Sequence, residues 1–157
     1  LLVHQNFPGQ FRQLMAFLEQ AGHELRAICS HERPLPPALP VARYLAPDPA
    51  TFKDPGDAPG LGYWRDGLAR AHRVRQVAEL WRGQHWTPHL ILGHTGWGET
   101  LMLRDVWPEV PQVVWPELWV RPETAGLLMP PQGPGPTPEQ RCDHMARNAL
   151  TRAALAQ

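Results

Sequence analysis

Leu1-Leu2-Val3-His4-Gln5-Asn6-Phe7-Pro8-Gly9-Gln10-Phe11 opens the chain, and its reading decides the fold. A short apolar run stops at His4, a turn containing Pro8 and Gly9 follows, and an amphipathic pattern begins at Phe11. A continuous apolar run suits a strand buried on both faces, as in a parallel sheet covered by helices. The turn then lies at the strand's carboxyl end, where open α/β sheets bind their ligands. Leu90-Ile91-Leu92-Gly93-His94-Thr95-Gly96-Trp97-Gly98-Glu99-Thr100 repeats the design: apolar strand, Gly-rich turn, new helix. Brought side by side, the two turns would make one cleft.

Outward from the first turn, Phe11, Leu14, Met15 and Leu18 share a helical face, with Arg12, Gln13, Glu19 and Gln20 opposite. Gly22 follows as the residue that can take a left-handed cap. Glu24 to Ser30 reads as a second strand, so strand, helix and strand fit the length of a right-handed βαβ unit. His31 to Pro40 is a Pro-rich connection, Val41 to Leu45 a third strand, and Ala46 to Gly62 an exposed loop. A long helix from Trp64 to about His85 would bury Leu68, Ala71, Val74, Ala78 and Trp81 and turn Arg65, Arg70, Arg73 and Arg82 outward. Leu90 to Gly93 is the fourth strand, Glu99 to Val106 a short helix, and Gln112 to Trp115 a buried fifth strand.

Leu127 to Pro136 reads as a mobile loop. Thr137-Pro138-Glu139-Gln140 announces a last helix, with Thr as N-cap, Pro at the first turn and Gln closing a capping box. Its apolar side would be Met145, Ala149, Leu150 and Ala153. Strands alternating with helices give the fold class: α/β, a Rossmann-like parallel sheet with helices on both faces.

With 157 residues, 43% of them hydrophobic, the chain can bury one core and reads as a single domain. Fifteen Lys and Arg balance fifteen Asp and Glu, so the basic surplus that attracts nucleic acid is absent and no nucleic-acid partner is expected. No apolar run reaches the roughly 18 residues of a membrane span. Cys29 and Cys142 stand in no metal or redox spacing, which points to a reducing cytoplasm. The helix arginines read first as a solvated face. Peripheral contact with anionic headgroups of the inner membrane is the second reading. The chain starts on a strand without Met and ends at Gln157 inside a helical pattern, so a further domain is expected to follow.

Amides at a helix start attract phosphate or sugar oxygens, and Gly9 lets a ligand approach the main chain. The spaced three-glycine dinucleotide fingerprint is missing, which disfavours an NAD-type site. A tight turn that needs Gly for geometry alone explains the stretch equally well. Gly93 to Glu99 packs three glycines with His94 and Trp97 just past a strand end, and an imidazole there can donate to or accept from a hydroxyl. A histidine satisfying backbone groups in a buried turn is the plain alternative. Glu117 follows the fifth strand and could bind hydroxyls or pair with Arg121, whereas Trp115 and Trp119 are read as core. Eight histidines show no His-Glu-x-x-His pattern, so no metal is expected, and no Gly-x-Ser-x-Gly elbow is present.

"VHQNFPGQF", "AGHEL", "LILGHTGWGETLMLRDVWPEVP" and "CDHMARNA" together resemble the amino-terminal domain of glycosyltransferase family 4 proteins. The "HQNFPGQF" and "GHTGWGET" blocks are specific; the remainder agrees mainly in layout. The resemblance implies the GT-B arrangement, two Rossmann-like domains facing across a cleft, with this chain as the acceptor-side half and the donor-binding domain absent. It implies sugar transfer from a nucleotide-sugar donor with retention, without a cofactor or metal, to an acceptor of unknown kind (glycan, lipid or small molecule). By that resemblance Pro8, Gly9 and Gln10 face the donor's phosphates and reacting sugar. His94 is the catalytic candidate that contacts the sugar, and Glu117, Gly96 and Trp97 are substrate-binding candidates. The isolated domain is expected to be inactive. Two readings from other classes stand beside this one: a non-catalytic carbohydrate- or nucleotide-binding module, and a flavodoxin-like domain holding a flavin phosphate in the first turn.

Overall fold

A computed structural model describes residues 1–30, 39–48, 51, 56–116, 119–121 and 135–157. Five parallel strands, β1 (Leu2–Val3), β2 (Ala27–Cys29), β3 (Val41–Arg43), β4 (Ile91–Thr95) and β5 (Gln112–Pro116), form one sheet in the order β3-β2-β1-β4-β5. Four α-helices are described with them: α1 (Arg12–Gln20), α2 (Leu61–Gly83), α3 (Leu103–Val106) and α4 (Pro138–Leu155). This is the Rossmann-like α/β arrangement expected from the alternation of elements.

The pleat sends neighbouring residues to opposite faces. Val3, Ile28 and Ile91 point to one face, under Val74 and Ala78 of α2 and Leu103 and Val106 of α3. Leu2, Ala27 and Cys29 point to the other, under Phe11 and Met15 at the start of the chain's first helix. Each fully buried Leu, Ile or Phe contributes roughly 1.5–3 kcal/mol, so a sheet covered twice explains why β1 and β2 are apolar throughout. The last helix is set by its first turn: the Thr137 side chain accepts from the Gln140 amide at 3.2 Å, and the Gln140 side chain accepts from the Thr137 amide at 2.9 Å. The capping box is as the sequence predicts.

Several expectations are corrected. Strand β4 continues through His94 and Thr95, because both pair with Trp115 and Pro116 of β5; His94 is therefore in the strand, not in the loop after it. The fifth strand is not buried: Val113 and Trp115 on one of its faces are about half exposed, and Trp119 is 46% exposed, so these tryptophans are not core. Trp119 instead lies under the Arg152 guanidinium, 5.1 Å from its ring centre.

Helix α3 begins only at Leu103, after a run of turns from Gly96. Arg70 points inward, with 5% of its surface exposed, because Asp66 one turn earlier and Glu99 supply the charge that a buried guanidinium needs. Leu68 is exposed in its place. Helix α4 buries Ala146, Asn148, Leu150, Thr151 and Ala154 and leaves Met145 outside, since small residues let it approach Gly60 and Gly67 of the α2 segment. Glu117 and most of the loop expected over Leu127–Pro136 lie outside the described residues, as do residues 31–38 of the Pro-rich connection.

Candidate functional site

Crossovers leave β1 toward β2 on one side and reach β4 on the other, so the strand order reverses between β1 and β4. That reversal falls at the carboxyl ends of the two strands, the usual ligand position in such sheets. Val3 is in register with Gly93. The next residue on each strand, His4 and His94, therefore emerge side by side, with ring centres 4.5 Å apart. The two turns singled out in the sequence do converge.

His4 is not among the residues that the sequence marks as functional, yet it is the centre of the first turn. Its Nδ1 accepts from the Asn6 amide at 2.9 Å, and its Nε2 meets Gln10 Oε1. The Phe11 ring stands edge-on to it at 5.7 Å. Gly9 takes φ +47°, and a Cβ there would strike the His4 ring itself, so only glycine lets the turn fold back over the imidazole. A signal for His4 is present in the sequence: His4 and His94 occupy the same place, each at the end of an apolar strand before a glycine turn.

Access differs among the residues at this strand edge. Gly9 and Gln10 are exposed, Pro8 is buried beneath them, and His4 and His94 are 5% and 3% exposed. Both nitrogens of His94 are shut off from solvent, with the His4 ring alongside.

The second turn is held from the opposite face of the sheet. Glu99 is fully buried and accepts from the Tyr44 hydroxyl at 2.7 Å, with Arg70 Nη1 4.0 Å from the same oxygen. Arg70 donates through Nε to Asp66 at 2.9 Å. Burial raises the Glu99 pKa above the usual carboxylate range, against the Tyr44 hydrogen bond and the Arg70 charge, which favour ionisation. Burial, with Glu99 close by, also pushes the Tyr44 hydroxyl well up. Burial works against the Arg70 charge, but the Asp66 hydrogen bond and neighbouring oxygens raise its pKa overall.

Trp97 at the rim is partly open: Tyr63 lies 6.1 Å away and the Arg147 guanidinium 4.7 Å from its ring centre, so part of its π face is already taken. Gly96 is buried, and Gly98 rests directly on the backbone of Gly67. The glycine at 98 thus has a packing cause, whatever else the turn does. Among the described residues, no group of three or more His, Cys, Asp and Glu is arranged to hold a metal ion.

Fold and strand order define a class: a Rossmann-like α/β module whose first and fourth strands present their turns at the point where the sheet order reverses. The model of the glycosyl transferase family 4 group matches residues 21–157, and the chain belongs to that family. The match takes in the second turn and the last helix, and begins just after α1. No curated protein and no solved structure matches the chain. The protein is thus a glycosyltransferase-type module, and among its described residues no helix is long and apolar enough to cross a membrane.

Proposed function

We propose that this chain is the acceptor-side half of a retaining glycosyltransferase that draws sugar from a nucleotide-sugar donor, the donor-binding half being a separate domain of the same protein. The observation that carries the reading is the meeting of the Gly9–Gln10 turn with the end of β4 at the reversal point of a family 4 sheet. In sugar transfer, positive charge develops on the donor sugar and negative charge on the departing phosphate. Oriented amides and side-chain donors at the turn would stabilise the phosphate without reorganising during reaction.

Gly9 and Gln10 are assigned to donor contact because they are the open layer, with Pro8 supporting the turn from below. Contact between His94 and the reacting sugar carries a geometric condition: the ring lies behind His4, so a sugar reaches it only where the His4 ring is displaced. Trp97 and Gly96, with Glu117, are assigned to the acceptor side.

The burial of both imidazoles favours one second reading, a carbohydrate- or nucleotide-binding module that keeps the fold without the chemistry. His94→Ala in the protein that carries this chain separates the two. For an enzyme, sugar transfer from a panel of nucleotide-sugars should fall at least about tenfold with donor binding retained, on the scale of losing one positioned catalytic group. Donor binding with no transfer in the parent protein would support the binding module instead.

A further inference from the structure

We propose that Tyr44 is a positioning residue that ties the first turn to the second and so sets the spacing between them. Its reach follows from the strand order β3-β2-β1-β4. Tyr44 lies one residue past β3, Ser30 one past β2, Gln5 two past β1, and Glu99 in the run of turns after β4. The Tyr44 amide donates to Cys29 O at 2.9 Å, so the side chain starts from a fixed backbone. Its hydroxyl donates to Glu99 Oε1 at 2.7 Å, and the same hydroxyl group bonds the Ser30 side chain. Ser30 in turn holds the first turn: its amide donates to Gln5 O at 3.1 Å, and its Oγ stands 3.1 Å from the same carbonyl.

A tyrosine hydroxyl can donate once and accept besides. With its proton on Glu99, Tyr44 accepts from Ser30, and the Ser30 amide keeps Gln5 held whichever way the Ser30 proton points. Tyr44 and Glu99 are 4% and 1% exposed, so water offers no ready replacement when a bond of this relay is lost. The relay grips the first turn by its main chain at Gln5, not by the His4 ring, so displacement of that ring is compatible with it. Groups that react across two turns are sensitive to the distance between them: a misplacement of about 1 Å can cost on the order of a hundredfold in rate. That the turns carry donor and acceptor rests on the proposed function above; the link between them does not.

The link is read first, without reference to activity. Ser30 and Glu99 are joined here through Tyr44, so Ser30→Ala and Glu99→Gln should be non-additive. In the protein that carries this chain, their combined effect on the unfolding equilibrium constant should depart from the product of the single effects by about threefold or more at neutral pH. In a Tyr44→Phe background, which removes one oxygen and keeps the ring, that departure should vanish. Additivity in the parent, or coupling that persists with Tyr44→Phe, would overturn the proposal.

Positioning is read second, in sugar transfer measured well below the melting temperature. Tyr44→Phe should lower kcat by about tenfold while binding of the nucleotide-sugar stays within about twofold, because spacing is disturbed and the donor contacts are kept. Ser30→Ala leaves the buried Tyr44–Glu99 bond in place and breaks the relay on the other side. It should lower kcat in the same sense by about threefold, the scale of one hydrogen bond, and it carries the test if Tyr44→Phe does not fold. A merely structural role would lower thermal stability and leave the kcat of the folded protein unchanged, which would overturn the proposal. If the parent transfers no sugar from any nucleotide-sugar, the proposed function fails, and the coupling measurement alone decides whether Tyr44 ties the turns.

Discussion

Glu99 is the residue whose surroundings most directly predict a solution property. Its carboxyl is buried beneath the second turn, and desolvation lifts its folded pKa above the ordinary value of 4.5. A raised carboxyl pKa means that the native state holds the proton more tightly than the unfolded chain. The resulting stabilisation is complete below about pH 4.5 and is lost as pH rises through the folded value. Glu99→Gln keeps an acceptor for Tyr44 and removes the charge. Denaturant unfolding of parent and variant at stepped pH should show the parent losing stability relative to the variant as pH rises above 4.5. A pH-independent difference between them would refute the assignment.

Legibility differs sharply among these residues. The Gly9 turn and His94 stand out as strand ends before glycines, but His4 reads as the tail of an apolar run. Arg70 is expected outside because charge usually faces water, and nothing local announces that the distant Glu99 supplies its partner.

At the scale of elements, close approach explains the glycines better than flexibility does. A Cβ on Gly67 of α2 would meet a Leu150 methyl at 2.7 Å, the tip of a side chain that can rotate away. A Cβ on Gly98 would strike the backbone of Gly67, which cannot, and Gly98 also takes φ +102°. Gly67→Ala should therefore stay within about 1 kcal/mol of the parent, since alanine's helix propensity offsets the crowding. Gly98→Ala should cost about 2 kcal/mol or more. Chemical denaturation of both variants checks the order, and equal costs would contradict it.

The elements themselves are largely readable. The helix signals in α1 and the capping box of α4 are local, made by residues within a turn or two of each other. Strand β4 reads short because Gly93 looks like a terminator. Its pairing partner, β5, carries the strand two residues further. The buried side of α4 escapes the sequence pattern because small residues at Ala146 and Ala154, not the larger Met145, are the ones buried.

Across the whole molecule, the last helix is tied to the segment beyond the sheet through the Asn148 side chain, beside the Arg152–Trp119 contact. Asn148 accepts from the Val120 amide at 3.1 Å and donates back to its carbonyl at 2.6 Å, both within the interior. Removing it leaves two buried backbone groups unpaired. Asn148→Ala should thus lower the unfolding free energy by about 2–4 kcal/mol, while Asn148→Asp, able to accept but not donate when ionised, should recover little. Thermal and denaturant midpoints close to the parent's would show that the tether carries no weight.

What the sequence determined by itself was the alternation of strands and helices, the covered parallel sheet and the two glycine turns, because each depends on periodicity or on residues adjacent along the chain. Only the tertiary structure decided that His4 and His94 lie side by side, that Arg70 lies inside, and that Trp115 remains at the surface. Those outcomes depend on which strands become neighbours and which face a helix covers. That is a balance of burial and pairing among groups distant in sequence, and no local pattern records it.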